Sequence, residues 1–204
     1  MPSIYVYGYC YAAIAGVFAC VGCQPSSPPT PRSSKEHKSE VAPIPTPLDV
    51  VDKMLEMARV TADDVVWDLG SGDGRIVIAA AKKYGCKAVG FEIEPKLVRQ
   101  SRGNVLDAGV EDLVTIEERD IFTLDLESAS VITLYLLPRM NKQLVPQLEK
   151  MKPGSRIVAH DFGIEGFIPD EVHRMESAED ESRHTILLWT IPLKPAPEPP
   201  PEKD

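Results

Sequence analysis

The run Val65-Val66-Trp67-Asp68-Leu69-Gly70-Ser71-Gly72-Asp73-Gly74-Arg75 constrains this chain more than any other: an apolar, strand-like stretch meets three glycines and then the helix-forming segment Ile76 to Tyr84. Glycines at that junction let backbone approach a ligand at the carboxyl end of a first strand. A dinucleotide fingerprint beginning at Gly70 and Gly72 would need its third glycine at position 75, which is Arg, so the spacing is G-x-G-x-G. No G-K-[ST] follows, which excludes a phosphate-binding P-loop. Asp68 and Asp73 flank the loop and would repel a pyrophosphate seated on it, whereas a cationic ligand would be attracted.

The chain around this loop alternates two patterns. Strand-like runs at 65–69, 87–92, 113–117, 130–137 and 155–160 are interleaved with helix-like stretches at 75–84, 95–107 and 140–150. Alternation of this kind predicts an α/β fold with a parallel sheet and helices on both faces. Leu48 to Val60 carries apolar residues at the spacing of an amphipathic helix that starts after Thr46-Pro47, and His184 to Ile191 reads as a last strand. Gly163 to Arg183 is charged and irregular and is expected to form a substrate-side loop. No internal repeat is present.

Two further elements follow the loop in order. The second strand ends at Glu92, 18 positions after Gly74, close to the interval at which a carboxylate holds ribose hydroxyls. The third is followed by Arg119-Asp120-Ile121-Phe122, where Asp120 can accept a hydrogen bond from an adenine amino group while Ile121 lines the ring. S-adenosylmethionine matches this set: its sulfonium and ammonium suit the loop carboxylates, and its carboxylate can meet loop and helix N–H groups. Asp68, Gly70, Ser71, Gly72, Asp73, Gly74, Glu92, Asp120 and Ile121 are therefore the candidate cofactor residues.

From Thr46 to about Phe162 the chain resembles the class I methyltransferases, with DLGSGDGR as their first motif. Within them, DLGSGDGRIVIAAAKKYG, AVGFEIEPKLVRQSR and RIVAHDF are similar to small membrane-associated protein-lysine methyltransferases and their bacterial relatives. The resemblance implies a Rossmann-like, mostly parallel seven-stranded sheet whose final strand is antiparallel. It also implies S-adenosylmethionine binding by Asp68, Gly70, Gly72, Glu92 and Asp120, and methylation of a lysine amine. Bacterial relatives often carry an aromatic residue before V-P-T-P, where this chain reads Pro43-Ile44-Pro45-Thr46-Pro47.

The acceptor side is less legible. The fourth strand lacks the [DN]-P-P-[YF] motif of amide and adenine N-methyltransferases. Tyr135 and Pro138 at its end are candidates to line an acceptor channel, although a tyrosine there is also simply a packing residue. His160 and Asp161, beyond the fifth strand, can orient an amine or accept its proton, or serve only as a hydrogen-bonding pair at a strand end. A small-molecule or lipid acceptor would use the same cofactor residues, and a degenerate binding module would have no need to keep them. His37, His173 and His184 show no metal-ligand spacing, so no metal is expected.

Charge and the two ends complete the reading. A net charge of −9 argues against nucleic acid, because phosphate contacts need clustered Lys and Arg. With Cys86 alone inside the domain, a disulfide framework is not expected. Residues 1–23 contain an uncharged apolar run that reads as a signal or membrane anchor, 24–47 as a Pro/Ser-rich linker, 48–192 as the methyltransferase domain and 193–204 as a disordered Pro-rich tail. Arg32, Lys35 and Lys38 follow the apolar run, which places the domain in the cytoplasm under the positive-inside rule. Val21-Gly22-Cys23 resembles the end of a lipobox and offers the lipoprotein or exported alternative. A monomer is expected.

Overall fold

A computed structural model describes residues 44–197; the expected anchor at 1–23, most of the linker and the end of the tail lie outside the described residues. Helix α1 (Leu48–Met57) opens the domain directly after Pro47 and buries Val50, Val51, Met54 and Leu55 along one face. Strand β1 (Val65–Leu69) leads through the glycine loop to α2 (Arg75–Tyr84). Then follow β2 (Lys87–Glu92), α3 (Pro95–Ala108), β3 (Val114–Glu118), β4 (Val131–Leu134), α4 (Pro138–Leu148) and β5 (Arg156–His160). The chain ends in β6 (Phe167–Ile168), β7 (Glu171–Glu176), β8 (Arg183–Thr190) and β9 (Lys194–Pro195).

Seven strands form one sheet in the order β3-β2-β1-β4-β5-β8-β7, while β6 and β9 pair separately. The first five are parallel to one another, and β8 runs antiparallel to both β5 and β7. Strand order reverses between β1 and β4. In an open α/β sheet such a reversal leaves a crevice at the carboxyl ends of the strands, which is where the glycine loop lies.

Successive residues of the central strands point to opposite faces. Val66, Val131 and Val158 pack under α1, α2 and α3, while Ile132, Ile157 and Trp189 face Leu144 and Leu148 of α4. Burial on both faces explains why these strands read as continuous apolar runs. The Rossmann-like expectation thus holds, with helices on both faces.

Three boundaries differ from expectation. The fourth strand ends at Leu134, its last register partner being Ala159, and α4 begins at Pro138, where a missing N–H costs nothing. Gly163 to Arg183, expected as a loop, contains β6 and β7; the latter is an edge strand whose Glu171, Arg174 and Glu176 keep it polar. The start of the tail is ordered as well, because Lys194 and Pro195 pair with Ile168 and Phe167.

Candidate functional site

The loop after β1 is held against β2 by two backbone bonds, as Gly70 N and Ser71 N both donate to Phe91 O at 2.9 Å. Gly70, with φ +84°, has no room for a Cβ, which would meet Leu136 Cδ2 at 2.9 Å. Gly90 is a second glycine that the loop requires. A Cβ there would lie 2.7 Å from Ser71 Oγ and 2.8 Å from Ile116 Cδ1. The glycine motif does not extend to Gly90, and a glycine inside a strand is the one sequence signal that points to it. Ser71 Oγ is itself buried without a hydrogen-bond partner, an orphan polar atom in the loop.

Asp68 sits at the end of β1, 3% exposed, and accepts a 2.6 Å hydrogen bond from Thr133 Oγ1, its register partner on β4. Burial pushes its carboxyl up to about 7; the bond from Thr133 opposes the shift, and the Glu92 and Asp73 carboxylates add to it. A buried carboxylate so placed is a socket for positive charge. Asp73 differs: it is bound by the Arg75 guanidinium through Nε and Nη2, which together with the Arg75 N–H holds it below the usual carboxylate range despite partial burial. It organises the loop rather than facing the crevice as a free charge.

Glu92, 8% exposed, accepts from Gly72 N at 2.9 Å through one oxygen and from Ile93 N and Glu94 N through the other. It therefore couples the loop to the end of β2. Asp120 follows β3, is exposed, and accepts from Phe122 N at 3.0 Å, starting a short 3₁₀ turn over Ile121–Thr123. Gln147 of α4 pins that turn by donating to Ile121 O and Leu124 O. Ile121 is 7% exposed and packs into the core under α4, leaving little of it for a ligand. Gly72 and Gly74 complete the loop with positive φ, and the Gly74 conformation starts α2. The cation socket at Asp68, the orphan Ser71 hydroxyl and the acidic residues ending β2 and following β3 fit S-adenosylmethionine.

A family model described as the ANTKMT methyltransferase domain matches residues 68–171. A protein-lysine N-methyltransferase of Saccharolobus islandicus (strain REY15A) is 44% identical over 150 residues, covering 72% of this chain and 92% of that protein. The chain belongs to the ANTKMT methyltransferase family. The adenine nucleotide translocase lysine N-methyltransferase of Mus musculus is 32% identical over 58% of this chain and 52% of its own length. Among solved structures, an RNA methyltransferase from Salinibacter ruber in complex with S-adenosyl-L-homocysteine is 46% identical, with a TM-score of 0.68 over 78% of this chain and 98% of that one. This methyltransferase uses S-adenosylmethionine.

On the acceptor side, Tyr135 and His160 lie beyond the paired ends of β4 and β5, with ring centroids 4.0 Å apart. Phe162 stacks against Tyr135 with a centroid separation of 6.2 Å. His160 is 1% exposed, and burial holds it well below the usual histidine range, so it is neutral at pH 7. Both its ring nitrogens are engaged: Nδ1 with Thr46 Oγ1 at 3.1 Å and Nε2 with His184 Nδ1 at 2.8 Å. In this arrangement it has no free nitrogen for an incoming amine, and it positions Tyr135 and Thr46 instead. Asp161 adopts φ +58° and accepts from Thr185 N at 2.8 Å, which leaves its second oxygen beside the two histidines.

Several residues of this methyltransferase's site are not legible in the sequence. Thr46 bridges its two sides, taking a hydrogen bond from Arg75 Nη1 on its carbonyl while its hydroxyl meets His160. Asn141 Nδ2 donates to Phe162 O and Gly163 O, fixing the chain after β5. His184 stands 24 positions from His160 and gives no local signal; antiparallel pairing of β8 with β5 brings them together.

Proposed function

We propose that this methyltransferase transfers the methyl group of S-adenosylmethionine to a lysine amine of a protein. The observation that carries this reading is the 44% identity to a protein named for protein-lysine N-methylation, over nearly all of that protein's length. Electrostatics favour it as well. Asp161, Glu179 and Asp180 lie at the carboxyl end of β5 or in the adjoining turn between β7 and β8, where they attract a cationic side chain and repel phosphate.

The reaction is a direct displacement. The lysine nitrogen lone pair forms a bond to the methyl carbon as the carbon–sulfur bond breaks, releasing neutral S-adenosylhomocysteine. The lysine ammonium gives up one proton to water before the attack, and the methylated amine leaves carrying the positive charge that the sulfonium has lost. Catalysis consists mainly of holding a neutral, desolvated amine in line with the sulfonium. Asp68 binds the cationic methionine portion, Glu92 the ribose, Asp120 the adenine, and Tyr135 walls the acceptor channel. Residues 4–23 tether the domain to a membrane, and the basic residues after them favour a cytoplasmic placement. Protease treatment of intact spheroplasts is expected to spare the domain; digestion from outside would reject that placement.

The test of function is incubation of the full chain with methyl-labelled S-adenosylmethionine and a cell lysate, followed by protease or nuclease. Protease-sensitive label is expected. Nuclease-sensitive label would overturn the reading in favour of RNA, the acceptor named for the Salinibacter ruber relative, and label extracted with lipid would place the acceptor there.

A further inference from the structure

We propose that His160, Asp161 and His184 form a binding site for one divalent transition-metal ion of the zinc type, beside the acceptor end of the sheet. Three donor atoms converge: His160 Nε2, His184 Nδ1 and Asp161 Oδ2. They form a triangle with edges of 2.8, 3.3 and 3.5 Å. Ligands held about 2.0–2.1 Å from a tetrahedral zinc ion stand about 3.3 Å apart. Two edges already match, and the short histidine–histidine edge needs to open by only about half an ångström.

Each donor also has the outer partner that a metal ligand requires. His184 Nε2 lies 3.2 Å from both oxygens of Asp180, an acceptor-only group, so its proton is fixed there and Nδ1 is left as a lone pair. His160 Nδ1 can donate to Thr46 Oγ1, which frees Nε2. The other oxygen of Asp161 is held by Thr185 N. The backbone supplies an independent observation. Asp161 takes a left-handed φ of +58°, sparsely populated for a non-glycine residue, and thereby brings its carboxylate toward both imidazoles. Two buried histidines with a partly exposed carboxylate make a site that is closed at the back and reachable through Asp161. A bound ion would join the end of β5 to the start of β8. Through Thr46 and Asp180 it would also brace the segment before α1 and the turn between β7 and β8.

The test uses the full chain, stripped with a chelator and titrated with Co²⁺ and Zn²⁺, beside Asp161→Asn and His184→Gln. Asparagine tolerates the left-handed φ and keeps an oxygen for Thr185 N, so Asp161→Asn is expected to fold, as checked by its far-ultraviolet circular dichroism. The wild type should bind one more ion than either variant, or bind it at least tenfold more tightly. Its Co²⁺ form should show the visible absorption of a four-coordinate nitrogen and oxygen site, bleached by Zn²⁺. Equal stoichiometry and affinity in all three proteins would overturn the proposal and leave a proton shared between the histidines. A thiolate-to-cobalt charge-transfer band unaffected by either substitution would overturn it too, placing the ion on cysteines.

Discussion

Asp68 is where the ligand-free domain works against itself, since its carboxyl is raised to about 7 by burial. Between its ordinary value of 3.8 and that raised value, the folded chain holds a proton that the unfolded chain has released. The contribution of this group to stability therefore falls as pH rises across that interval and is level above it. A cationic ligand favours the carboxylate, so affinity for S-adenosylmethionine should increase as pH rises through about 7 and then plateau. Calorimetry one unit below and one unit above that value checks this. Asp68→Asn should flatten the dependence, and Asp68→Ala should weaken binding by about 1–3 kcal/mol, the scale of a charge-assisted hydrogen bond. Gly90→Ala forces a methyl group onto Ser71 and Ile116. It should lower stability by about 1–3 kcal/mol and weaken cofactor binding, read by denaturant melts and calorimetry. Tyr135→Ala should slow methyl transfer while cofactor affinity stays near that of the wild type, because the ring borders His160 and Phe162 rather than the glycine loop.

The segment before α1 acts as a strap across elements far apart in sequence. Arg75 at the start of α2 holds the Thr46 carbonyl, His160 at the end of β5 holds its hydroxyl, and Glu179 accepts the Leu48 N–H at 3.0 Å. Arg75→Ala is expected to cost about 1–2 kcal/mol from lost charged hydrogen bonds and to weaken cofactor binding as well as turnover, because Asp73 in the glycine loop and the Thr46 carbonyl both lose their partner. Urea unfolding and steady-state kinetics separate those effects. The strap also shows what can be read in advance. The glycine loop, Glu92 and Asp120 follow one another on successive parallel strands, so their order in sequence is their order in space. Thr46, His160 and His184 meet only through long-range packing and antiparallel pairing, which no local pattern encodes. Strand β7 escapes a sequence reading for a related reason: an exposed edge strand carries no apolar alternation.

At the scale of the whole molecule, charge favours a cationic acceptor over a phosphate-bearing one. A net charge of −9 disfavours a polyphosphate substrate, and the sheet places acidic residues beside the acceptor end. The relatives matched by this chain carry names for both lysine and RNA methylation, so the acceptor is the claim most worth testing. The most direct measurement is acid hydrolysis of the material labelled by the full chain and methyl-labelled S-adenosylmethionine, followed by amino-acid analysis. The label should co-migrate with Nε-methylated lysine and, at limiting S-adenosylmethionine, fall with Asp68→Ala in step with its weaker cofactor binding. Label recovered in methylated nucleosides, or in protein at residues other than lysine, would contradict the account.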